Sequence, residues 1–74
     1  MTMTEKLVLD FLGSPNLDSA MKVMERLVGR DALDVWLDSP HEMLNNRTPK
    51  SLIDEGYENI IVNLIADMVT GMSL

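Results

Sequence analysis

The sequence predicts an all-α fold, a compact bundle of five or six short helices in a single domain. Three observations lead there. Apolar residues recur at helical spacing along most of the chain, and no segment alternates with period two over a useful length. The four glycines fall where helices should stop and the three prolines where helices should start. A chain of 74 residues with 46% hydrophobic side chains can fill one small core and is too apolar for a disordered segment.

The elements follow in order. A first helix is expected over about Thr4 to Leu12, with Leu7, Val8, Phe11 and Leu12 on one face and Gly13 as its stop. Ser14-Pro15-Asn16 opens a second, carrying Leu17, Ala20, Met21, Met24, Leu27 and Val28 at helical spacing and halted at Gly29. Asp31 caps a third, with Leu33, Trp36 and Leu37. Ser39 and Thr48 are each followed by proline, at Pro40 and Pro49. A hydroxyl at the N-cap followed by a residue with no N–H and a helical φ is a helix-start signature. Ser39-Pro40-His41-Glu42 also fits a capping box. The expected fourth helix therefore runs from Ser39 to near Asn45, and the fifth from Thr48 to near Gly56. The last spans about Tyr57 to Thr70, with a stripe of Ile60, Ile61, Leu64, Ile65, Met68 and Val69.

Composition narrows the class of function. The net charge is −6, and both the first 35 residues and the remainder are net acidic. Neither half offers the basic footprint that drives phosphate binding, so direct nucleic-acid contact is not expected and a basic protein surface is the better match. Without cysteine, disulfides and thiolate metal sites are excluded. No signal peptide is legible, and Ile60 to Ala66 is far too short to span a bilayer. A soluble cytoplasmic protein, not bound to a membrane, is expected.

No catalytic, cofactor-binding or metal-binding set is expected. His41 beside Glu42, with Asp34 and Asp38 upstream, is the one cluster suggestive of acid–base or metal chemistry, and a solvated cap region accounts for it. Asp31, Asp34 and Asp38 share one helical face and read as a solvated acidic surface, as do Asp54, Glu55 and Glu58. Ser14, Ser39 and Ser51 lack a nucleophile context, and no Gly-rich loop follows a strand. Met21, Met24 and Met68 are expected as gap-filling core residues, and Trp36 as largely buried. Two wide apolar stripes, on the second and last helices, predict self-association as a homodimer.

The segment from Trp36 to Ile53 carries a family resemblance. Trp36-Leu37, Ser39-Pro40, Leu44-Asn45-Asn46-Arg47-Thr48-Pro49 and the pair Leu52-Ile53, followed by Gly56 and Gly71 and preceded by Gly29, resemble the toxin-binding domain of Xre/MbcA/ParS-type antitoxins. That domain typically has Leu-Gly-Gly-Arg-Thr-Pro where this chain has Leu44 to Pro49. The match covers roughly Met24 to Gly71, leaving residues 1–23 as an additional helical part. Asn45-Asn46 replaces Gly-Gly, and asparagine is one of the few other residues that enters the left-handed region. Only 35 residues precede Trp36 in this sequence, too few for the helix-turn-helix of full-length antitoxins, so operator binding is not expected of it.

The resemblance implies a stand-alone inhibitor of a RES-type toxin, an enzyme that consumes NAD or transfers ADP-ribose, encoded by a phage or other mobile element. It places the contact at the C-terminal region, with Arg47, Met68, Met72, Ser73 and Leu74 as partner-binding candidates. Met72 and Leu74 are either a frayed terminus or an apolar plug for a partner's cavity. Arg47 either bonds carbonyls at the end of the fourth helix or offers its fork to a partner carboxylate. A second reading is a small helical regulator or adaptor that binds an unrelated host protein.

Overall fold

The computed structural model of the chain describes residues 1–71 and is all-α. Five α-helices follow one another: α1 (Met3–Gly13), α2 (Leu17–Val28), α3 (Arg30–Asp38), α4 (Pro49–Asp54) and α5 (Glu58–Thr70). One 3-10 turn, Glu42–Leu44, stands between α3 and α4.

The first two helices start on reciprocal caps. Thr2 Oγ1 accepts from the Glu5 N–H at 3.1 Å while the Glu5 carboxylate accepts from the Thr2 N–H at 3.4 Å. In α2 the same exchange joins Asn16 and Ser19, at 2.9 and 3.3 Å. The second helix thus opens at Asn16, two residues beyond the expected Ser14. Ser14 is occupied in closing α1: its N–H donates to the Asp10 carbonyl, and its own carbonyl accepts from the Asn16 amide. Gly13 is the last residue of α1 rather than a stop beyond it.

A single residue turns the chain between α2 and α3. Gly29, at φ 86°, ends α2 by donating to the Glu25 carbonyl and begins α3 by accepting from Leu33. The third helix therefore starts ahead of Asp31, which lies in its first turn and is not its cap.

The expected fourth helix does not form. Ser39 is the C-cap of α3, and its hydroxyl donates to the Val35 carbonyl at 2.6 Å instead of capping a new helix. Pro40 consequently stands outside any helix, and Glu42 opens only the 3-10 turn. Local hydrogen bonding by serine competed with the capping geometry and prevailed. Thr48-Pro49, by contrast, behaves as its sequence predicts. Thr48 Oγ1 accepts from the Ser51 N–H at 3.1 Å, and Pro49 occupies the first turn of α4.

The end of α4 is a Schellman motif. Tyr57 N–H reaches back to the Leu52 carbonyl at 2.8 Å, and Gly56 N–H to that of Ile53 at 3.0 Å, with Gly56 at φ 89°. Helix α5 begins directly after it.

Helix α2 lies at the centre, packed against α1, α3 and α5, while α4 bridges α3 and α5. Val8 and Phe11 from α1, Ala20, Val23 and Met24 from α2, Leu33 from α3, Leu44, Leu52, and Ile61, Val62, Ile65 and Val69 from α5 form one apolar cluster. No polar or charged residue is buried among the described residues. The inward face of α5 is rotated from its expected stripe. Val62 replaces Ile60 and Met68, both of which are exposed. The α2 and α5 stripes pack against each other through their buried members, while Val28, Ile60 and Met68 stay exposed.

Candidate functional site

The turn between α3 and α4 is closed by a ring of backbone hydrogen bonds. The His41 N–H donates to the Arg47 carbonyl at 3.2 Å, and the His41 carbonyl accepts from both Leu44 and Asn46 at 2.9 Å. The Arg47 N–H closes the ring on the Leu44 carbonyl at 3.1 Å. Such tightness requires two successive left-handed residues, and Asn45 and Asn46 supply them at φ 57° and 62°. Leu44 anchors the turn in the core.

The loop is tied to α3 through His41. Its Nε2–H donates to the Trp36 carbonyl at 2.9 Å, which makes Nε2 the protonated nitrogen, and the two rings pack with centroids 5.2 Å apart. Trp36 is partly buried and packs against the core cluster. The inward direction of α3 belongs to Leu33, so Trp36 projects along the edge of the core and Leu37 along the other side.

Arg47 is engaged within the chain by side chains rather than by backbone carbonyls. Its guanidinium pairs with the Glu55 carboxylate just after α4 and approaches the Ser51 hydroxyl at 3.4 Å. Both partners are about half-exposed (42% and 49%), so the pair is a clasp across α4 in contact with solvent. The other acidic candidates are likewise surface groups. Asp34 is bridged by Arg30 at 3.4 Å, and both line a shallow pocket with Asp38 and Lys50. Among the described residues, no three of His, Cys, Asp and Glu lie close enough to hold a metal ion. Nor is any helix among them long and apolar enough to cross a membrane.

What the sequence reading missed is an apolar cleft. Met24, Leu27 and Val28 of α2, Trp36 of α3, and Met68 and Val69 of α5 line an open cavity of about 460 Å³. Met68, expected in the core, is a wall of this cleft at 37% exposure, and Val28 stands 48% exposed at its edge. Val35, next to Trp36, is 66% exposed. One signal was present: Trp36 lies three residues from Leu33, to one side of the face that Leu33 and Leu37 define.

The structure thus brings Met68 and Trp36 together and leaves Arg47 in a separate clasp. Met72, Ser73 and Leu74, expected as a plug, lie outside the described residues. Compared with protein-family models, curated proteins and solved structures, the chain matches none.

Proposed function

We propose that this chain is a protein-binding module of antitoxin type, which binds a RES-type toxin and blocks its consumption of NAD or its ADP-ribosylation chemistry. The observation that carries the reading is the conformation of Asn45 and Asn46. The resembled family has Gly-Gly at these positions, and here both residues are left-handed. The same backbone demand met by a different residue pair supports a shared turn, with Thr48 and Pro49 starting the next helix as in the resembled pattern.

Inhibition of this kind requires no chemistry from the inhibitor. It requires a rigid helical platform and a segment that excludes substrate. The acidic surface suits a toxin entrance that is basic because it binds the phosphates of NAD. Within this reading the module is also a homodimer, built on exposed apolar residues of α1 such as Leu9 and Leu12.

The direct test measures NAD consumption by a purified RES-domain enzyme with increasing amounts of this chain, and complex formation by calorimetry. Inhibition in a stoichiometric complex is expected. If there is no complex, and capture from the native host returns a partner without NAD chemistry, the antitoxin reading fails and the adaptor reading takes its place.

A further inference from the structure

We infer that the groove between α2, α3 and α4 receives a segment of a partner protein in which an apolar side chain stands between a carboxylate and a cation. The carboxylate meets Lys50 and the cation meets Asp38. This rests on the protein-binding reading but not on the partner being a toxin.

The groove has an apolar floor and a charged rim. Met21 of α2, Leu37 of α3 and Ile53 of α4 form the floor, each partly buried and packed against the core. Arg30, Asp34 and Asp38 of α3 and Lys50 of α4 complete the lining of a hollow of about 370 Å³. Arg30 is held by Glu25 and Asp34, at 3.4 Å each. Asp38 and Lys50 are exposed and, among the described residues, have no ion-pair partner. The free charges that line the hollow are therefore one of each sign.

Neither charge serves the helix that carries it. Asp38 is the last residue of α3, where the terminal carbonyls disfavour an anion. Lys50 lies in the first turn of α4, where the free N–H groups disfavour a cation. Charges set against their local fields are the kind of departure from helix preference that a functional surface retains. Both are also well placed. Lys50 follows the buried Pro49 and the Thr48 cap, and Asp38 precedes Ser39, whose hydroxyl is bonded to the Val35 carbonyl.

The lining selects among occupants by charge. A basic partner, which the net charge of −6 attracts at long range, would leave Lys50 against a like charge unless it also brought a carboxylate. A small zwitterion needs walls that bury most of its surface, whereas the Arg30 and Asp34 side chains are 66% and 53% exposed. A second copy could exchange Asp38 and Lys50 across a two-fold axis, but it would set one concave floor against another and fill neither.

The probe is a phage-displayed library of linear peptides, randomised at every position and selected against the full chain. Binding is read from ¹³C-methyl resonances of methionine and isoleucine. Selected peptides should carry an apolar residue between an acid and a base, and should shift Met21 and Ile53 while leaving Met3 and Met43 in place. The acid is the discriminating residue, because attraction to net charge alone enriches bases only. Asp38→Lys and Lys50→Glu should each weaken binding about threefold or more, and reversing the matching charge on the peptide should restore it. Each substitution installs the sign that its helix end favours, so Tm should hold or rise.

Several outcomes overturn the proposal. A fall in Tm in either variant returns that charge to the fold. A selection that yields no binder, binders of one sign only, or shifts at Met24 and Met68 instead removes this groove as the site. Equal shifts from free leucine make a small zwitterion the occupant. A dimer of the free chain that dissolves on Lys50→Glu makes a second copy the occupant. No toxin enters the experiment, so failure here is separate from failure of the antitoxin reading.

Discussion

Replacing Asn45 and Asn46 tests the turn on which the functional reading depends. Both residues hold left-handed backbone angles, at φ 57° and 62°, in a loop closed by backbone bonds from His41 to Arg47, from Asn46 to His41 and from Arg47 to Leu44. A left-handed conformation costs an ordinary L-residue about 1–2 kcal/mol, and asparagine less because its side chain bonds locally. Alanine at both positions should therefore cost about 2 kcal/mol in total, taking about 1 kcal/mol per site. Glycine at both removes that strain but frees the unfolded chain, an opposing effect of about 0.4–1 kcal/mol per site. The glycine pair should be close to neutral. In a domain of this size each kcal/mol moves Tm by roughly 4–8 °C, so Asn45→Ala with Asn46→Ala should lower Tm by about 8–16 °C. Thermal unfolding followed by circular dichroism reads the difference. If the alanine pair melts with the glycine pair, the left-handed turn does not govern stability and its support for the family resemblance is lost.

Other outcomes follow from the same geometry. Thr48→Ala should cost about 1 kcal/mol, since its hydroxyl caps α4, whereas Ser39→Ala should change stability by less than about 0.5 kcal/mol because no cap is lost; chemical denaturation separates the two. Arg47→Ala opens a half-exposed ion pair and should cost under about 1 kcal/mol, so toxin binding lost at unchanged stability would assign Arg47 to the interface. Removing residues 72–74 should leave helicity and Tm nearly unchanged and weaken inhibition at least tenfold, about 1.4 kcal/mol; undiminished inhibition would place the contact on the helices. Leu9→Glu should convert a dimer to monomer in ultracentrifugation at about 100 μM, and a wild-type chain already monomeric there refutes the dimer.

Five of the six helices laid out from the sequence were legible because periodicity and strong terminators are local signals. Thr48-Pro49 and Gly56 act within one turn of themselves, and each did what its chemistry implies. Ser39-Pro40 carries the same local signal but failed, because Ser39 found a partner behind it in the Val35 carbonyl. The cleft could not be read from pattern alone. A stripe states which residues are apolar, while the rotation of each helix about its axis is fixed by its neighbours. Val23 and Val62 turned inward, and Met68 and Ile60 turned outward, only because α2 packs on α1, α3 and α5 together. Arg47 was ambiguous for the same reason: Glu55, its partner, lies eight residues away across a helix.

The central position of α2 bears on where this protein could be cut. The family-like pattern starts near Met24, in the middle of that helix, yet the core draws Val8, Phe11, Ala20 and Val23 from before that point. Burying side chains such as the two valines and Phe11 contributes about 1.5–3 kcal/mol each, against a total stability of roughly 5–15 kcal/mol for a typical domain. A fragment beginning at Met24 would keep the residues that resemble a known pattern and lose the surface on which they are assembled. The stretch that carries the resemblance and the unit that folds are different lengths of the same chain, and a graft would have to carry the longer one.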